Sequence, residues 1–241
     1  RLARSPINQA FEGIRDQQDR WDNFSDAFLI ESNRLDQAHL GNLQALNLQL
    51  LSDANQLNVR LYRQELEGAI EEFKWRFHRY PVSHMNGIHT GVVSVLTRLH
   101  RIDTVEDAKA YIKRLHGVTQ LFDQLIDGLQ ARAEMGIVAP GFVYQRVIEG
   151  SRRIVTGRPF LENDSADSDP ADSPLLADFN KKLNKLDIAA QQKQQLYAAG
   201  QQVLLESVGP AYRKLIAKLS ELHGRAEIEG GAWKLPQGKA F

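Results

Sequence analysis

Apolar residues recur at intervals of three or four along most of the chain, and a recognisable helix start precedes several of the runs. Ser25-Asp26 reads as an N-cap. Behind it Phe28, Leu35, Leu40, Leu43 and Leu46 supply the apolar positions of a helix of about five turns. Ser52-Asp53 starts a second helix, with Leu57, Leu61, Leu66, Ile70, Phe73 and Phe77 as its stripe, and Tyr80-Pro81 ends it. Residues 84–91 are turn-like, and apolar patterning resumes from Val92 to Leu99. Thr104-Val105-Glu106-Asp107 has the form of a capping box with Asp in place of Glu or Gln. Val105, Ala108, Ile112, Leu115, Thr119, Phe122, Ile126 and Leu129 then step along one face of a single long helix, which Gly136 terminates.

Pro140 opens a further helical stretch through Ile154. Residues 162–172 are acidic and small, with nothing large and apolar to bury, and predict a solvated connector. Pro174 restarts a short helix through Phe179 and Leu183, and a longer one runs from about Ile188 to His223, with a kink at Gly209-Pro210. After the Gly230-Gly231 pair, Trp233 and Leu235 alternate as in a strand, and Pro236 to Gly238 form a turn. The expected fold is an all-α, multi-helix lobe of long antiparallel helices with a short strand-like C-terminal tail. Its expected organisation is a helical region at 1–161, the acidic connector at 162–172, further helices at 173–228 on the same lobe, and a new unit beginning at 229–241.

Composition narrows the function. The 241 residues are 42% hydrophobic and 25% charged, enough to bury a substantial core, and Lys plus Arg balances Asp plus Glu at 30 each. A nucleic-acid partner calls for a concentrated positive field, which neither the balance nor any basic run supplies. No apolar stretch approaches the roughly 20 residues of a membrane-spanning helix. The chain opens at Arg1, which suggests a removed leader or a trimmed start, and it has no cysteine.

The candidate chemistry is sparse. His84 and His89 share a Gly-containing turn with Asn86 and Thr90, and Tyr80 lies just before it. Two imidazoles five residues apart, with no third ligand, do not make a zinc site, so these five residues are candidates for the wall of a cleft. The acidic connector lacks the ligand order of a calcium loop. Arg152, Arg153 and Arg158 read first as cations at a helix end, and Phe73, Trp75, Phe77 and Tyr80 as packing at another. No nucleophile elbow, Walker loop, dinucleotide fingerprint or HExxH occurs.

Several segments in order carry a resemblance: Leu61 to Glu67, Tyr80 to Thr90, Thr104 to Tyr111, Gly136 to Pro140, Val208 to Tyr212, and Gly231 to Gly238. Together they resemble the N-terminal half of the bacterial family called domain of unknown function 885. The resemblance implies a secreted or periplasmic, lipid-anchored protein of zinc-metallopeptidase-like architecture, in which this chain is a helical lobe beside the cleft. It implies no cofactor within this chain and zinc in a longer protein, whose metal-binding helix lies beyond Phe241. Trp233, Leu235, Pro236 and Gly238 then mark the entry to a second half. The implied partners are that second half, a peptide substrate, and another copy of the chain through the tail. The alternative is a non-catalytic helical scaffold or protein-interaction module whose apolar stripes bind a partner.

Overall fold

The computed structural model describes residues 2–160, 171–226 and 230–241. The connector expected at 162–172 therefore lies almost wholly outside the described residues. Ten α-helices appear among those described: α1 (Pro6–Phe11), α2 (Asp26–Gln44), α3 (Asp53–Phe73), α4 (Ile88–Ser94), α5 (Val105–His116), α6 (Val118–Glu134), α7 (Gly141–Ile154), α8 (Pro174–Asn184), α9 (Ala190–Val203) and α10 (Gly209–His223).

Local chemistry sets many of the boundaries. Ser25, Ser52 and Thr104 each accept a backbone N–H of their helix's first turn, and Thr104 with Asp107 forms the reciprocal capping box. Gly136, at φ +77°, ends α6 in a Schellman motif: its N–H bonds Ala133 O and that of Ile137 bonds Arg132 O. The stripe expected as one helix from residue 105 to 129 is instead split at Gly117. There Trp21 packs so closely that a Cβ on Gly117 would lie 3.0 Å from its ring. Gly209-Pro210 acts as expected on the long C-terminal helix. Pro210 has no N–H to give, and the turn before it widens into a π-helix at Leu204–Val208, after which α10 restarts.

One core joins α5 to α10. Tyr212, Leu215 and Leu219 of α10 are completely buried, and α10 packs on α6 and α7 while α9 packs on α5 and α8. Aromatic pairs lock the layers: Phe122 meets Tyr212 edge-on at 4.7 Å, and Tyr111 stacks on Phe179 at 4.8 Å. The hairpin of α2 and α3 is different. These helices pack on each other and make little contact with the rest; α2 has no buried residue and α3 has only Leu66.

The strand-like tail is corrected. No β-strand occurs among the described residues, only the isolated bridges Val82–Gly87 and Arg158–Asp172. Residues 230–241 form a 3₁₀ turn at Ala232–Lys234 and then successive tight turns: Leu235 N–H bonds Ala232 O, Gly238 N–H bonds Leu235 O, and Ala240 N–H bonds Gln237 O. Two alternating apolar residues have no partner strand to satisfy their backbone, so local bonds of turn type satisfy it instead. Phe241 lies against Trp75 and His78, and Pro236 O accepts from His78 Nε2 at 2.8 Å.

Candidate functional site

A cleft of about 600 Å³ forms where the end of α6, the start of α7 and the C-terminal turns meet. The Schellman turn presents Gly136, Val138 and Ala139; Pro140 caps α7; Tyr80 closes one side, and Arg225, Lys234 and Leu235 another. Tyr80 donates its hydroxyl to Val138 O at 3.4 Å, and burial raises its pKa, so it is a neutral phenol at neutral pH. Arg225 pairs with Glu221 at 2.7 Å. Among the described residues the wall thus offers a phenol and two cationic side chains, and no carboxylate pair for acid–base work.

The candidates from the Gly-containing turn are distributed differently. Residues 82–87 fold into a tight loop whose centre is the Ser83 hydroxyl, accepting from the backbone N–H groups of Met85 and Asn86 and donating to Asn86 O. Gly87 sits at φ +146°, where a Cβ would lie 2.9 Å from Pro81 O, so the loop needs glycine here. His84 packs its ring edge-on to Phe142 at 5.7 Å, and the Thr90 hydroxyl donates to Gly87 O at 3.1 Å. His89 is turned into the core at 2% exposure, its carbonyl accepting the Tyr212 hydroxyl at 2.6 Å. Its Nδ1 is buried with no hydrogen-bond partner, and desolvation lowers its pKa to about 4. Of the five, Tyr80 lines the cleft. Of the tail residues, Leu235 lines it as well, Pro236 holds His78 through its carbonyl, Gly238 lies in the closing turns, and Trp233 is 72% exposed.

A second polar cluster escaped the sequence reading. Arg114 of α5 is completely buried and donates to Arg20 O, Gln17 O and His100 Nδ1, while Trp21 Nε1 donates to Arg114 O at 2.6 Å. The available signal was position: Arg114 falls on the same face as Ala108, Tyr111 and Leu115, where a charged residue is unexpected. Among the described residues no group of three or more His, Cys, Asp or Glu side chains is placed to hold a metal ion.

The family model described as bacterial protein of unknown function, DUF885, matches residues 6–241. The chain belongs to this family. Because the match takes in nearly the whole DUF885 chain, the narrower assignment to an N-terminal half with zinc-peptidase character is corrected; no zinc-peptidase motif accompanies the match. A crystal structure of "the putative lipoprotein from Colwellia psychrerythraea" is similar at a TM-score of 0.80 and 16% identity, over 99% of this chain and 42% of that one. The DUF885 chain therefore spans less than half the length of that structure's chain, and at this identity the likeness is one of fold. No curated protein matches the sequence. No helix among the described residues is long and apolar enough to cross a membrane.

Proposed function

We propose that this chain is a non-catalytic helical scaffold whose α2–α3 hairpin is a protein-interaction arm. One observation carries the reading: the hairpin stands on the helical body with Leu35, Leu46, Leu50, Leu57 and Leu61 between 39% and 83% exposed. Isolated exposed leucines are ordinary, but five on one hairpin and its connecting turn, which pack on little else, offer apolar area for burial by another protein. The fitting occupant is an amphipathic helix whose apolar face covers these leucines. The fold likeness to a lipoprotein supports placing this assembly in the cell envelope, secreted or periplasmic and lipid-anchored.

Site-specific photo-crosslinking in the producing cell tests this. A photoreactive residue at position 57 or 61 is expected to trap one discrete protein partner, and the same residue at exposed Arg213 on α10 is not. The partner's crosslinked peptide should come from an amphipathic helix. Equal labelling at all three positions overturns the interaction reading, and chelator-sensitive peptide hydrolysis by the purified chain overturns the non-catalytic one.

A further inference from the structure

The loop between α1 and α2 forms another open cleft, of about 300 Å³, against the start of α6. Long-range bonds fix this loop. Asp22 accepts the Ser5 hydroxyl at 2.7 Å and Ile7 N–H at 2.9 Å, and Arg20 O accepts from Arg114 Nε at 3.0 Å. Trp21 is held twice over. Its Nε1–H donates to Arg114 O at 2.6 Å, and the Arg114 guanidinium lies over its ring, 5.3 Å from the centroid. The indole is still partly exposed, and what is left uncovered lines the cleft. A large flat apolar surface that is immobilised before a ligand arrives loses little further entropy on binding.

Three amides share the wall with it: Asn23, Gln120 and Gln124. Asn23 Oδ1 accepts Ser25 N–H at 2.9 Å, and Gln124 Oε1 accepts Phe24 N–H at 2.8 Å. A backbone N–H requires the amide oxygen, so the nitrogen of each side chain remains as a donor. Among the described residues neither nitrogen has a partner, and the exposed Gln120 amide has none at either atom. Acceptors come from Asp19 and Asp22. The cations nearest Asp19, Arg20 and Lys113, stand off at 3.7 and 3.9 Å, and each oxygen of Asp22 accepts one bond. Unused donors and unused acceptors therefore lie side by side around one aromatic ring.

That combination selects against most ligand classes. Two carboxylates on the wall repel an anion, while the amide N–H groups and Arg20 offer nothing to a simple cation. An apolar ligand would strip water from the amides and carboxylates without replacing its hydrogen bonds. A hydroxyl both donates and accepts, and suits both kinds of group. A sugar ring carries hydroxyls around its edge and C–H groups on its faces, which can lie flat on an indole. We propose that this cleft binds a neutral carbohydrate, with one pyranose ring stacked on Trp21 and its hydroxyls bonded to Asn23, Gln120, Gln124 and the two aspartates. Its volume is at the lower end of the roughly 300–1,000 Å³ of ligand pockets, which suits a mono- or disaccharide unit.

Proton–nitrogen NMR of the full chain tests this, because the indole N–H signals of Trp21, Trp75 and Trp233 report separate places and Trp21 alone among them lines this cleft. The probes are the methyl glycosides of glucose, galactose, mannose and N-acetylglucosamine, with maltose, cellobiose and chitobiose. Methyl glucuronide and glucosamine serve as the anionic and cationic comparisons. At least one neutral sugar is expected to shift the Trp21 signal saturably while Trp75 and Trp233 stay still, and to bind more tightly than either charged sugar. Gln120→Ala removes an exposed amide from a helix that accepts alanine, and should weaken that affinity about threefold or more without lowering Tm. Trp21→Leu removes the stacking surface and should abolish saturation; if that variant does not fold, the parent chain and Gln120→Ala still decide. Four results overturn the proposal: no saturable shift with any neutral sugar, an equal shift at Trp75 or Trp233, tighter binding of a charged sugar, or an unchanged affinity in Gln120→Ala.

Discussion

Lowering the pH from 7 to 5 should destabilise this protein through two histidines. His89 and His100 are both about 2% exposed, and desolvation, the larger cause in each, brings their pKa from 6.5 to about 4. Arg114 pushes His100 the same way. A base whose folded pKa is depressed takes up its proton more readily when unfolded, so stability is fully present above about pH 6.5 and is lost as pH falls toward 4. At 1.36 kcal/mol per pH unit, each imidazole removes about 2 kcal/mol between pH 7 and 5, and the pair about 4. That is a large share of the roughly 5–15 kcal/mol expected for a whole domain.

The carboxylates Asp103, Asp107 and Glu221 have folded pKa values below 3.8, 3.8 and 4.5, so they lose their contributions only at lower pH. Urea unfolding at closely spaced pH values isolates the histidine window and should show uptake of nearly two protons on unfolding between pH 6 and 5. His89→Leu keeps the backbone carbonyl that accepts the Tyr212 hydroxyl and removes the imidazole, so it should halve that slope. Stability that is flat between pH 7 and 5, or a slope unaffected by His89→Leu, would refute the burial of a neutral imidazole at this position.

Other substitutions separate the core from the arm. Leu66→Ala, at the one fully buried position of α3, should cost about 2–5 kcal/mol in urea unfolding, while Leu57→Ala and Leu61→Ala should stay within about 0.5. Gly200→Ala places a Cβ 2.5 Å from Phe179 Cε1 and should lower stability by about 1–3 kcal/mol in the same assay. Gly136→Ala forces a left-handed conformation on an L side chain and should cost about 1 kcal/mol, seen as a drop of several degrees in Tm.

The parts of the fold legible in the sequence are those governed by neighbours in the chain. Ser25, Ser52 and Thr104 cap because their hydroxyls reach backbone N–H groups three residues on, and Gly136 closes α6 because only local geometry is involved. The break at Gly117 was invisible: the apolar stripe continues through it, and the interruption comes from Trp21, nearly a hundred residues away in sequence. The tail misled for the opposite reason, since alternation over two residues says nothing about whether a partner strand exists. Periodicity likewise showed that α3 has an apolar face, but not that only Leu66 would be covered. Which way Tyr80 and His89 face is likewise set by distant contacts: Tyr80 lies beside Val138, and His89 is held in the core by α10, which contacts it from far along the chain.

The contrast between body and arm has a physical basis that bears on function. In the body, order comes from a continuous buried cluster running from Val82 to Leu222. In the arm it comes from caps, α2–α3 packing and a few polar clamps at the base: Arg76 to Asp26 at 2.7 Å, Arg132 to the carbonyls of Arg76 and Arg79, and Phe24 N–H to Gln124 at 2.8 Å. Exposed ion pairs of this kind contribute little each, and hairpins without burial sit near the low end of local stability. Covering the leucines would add the missing burial, at about 25 cal/mol for each Å² of apolar surface removed from water. The same feature that leaves the arm weakly held in isolation therefore supplies a driving force for association, whereas most large apolar side chains of the core helices are already covered.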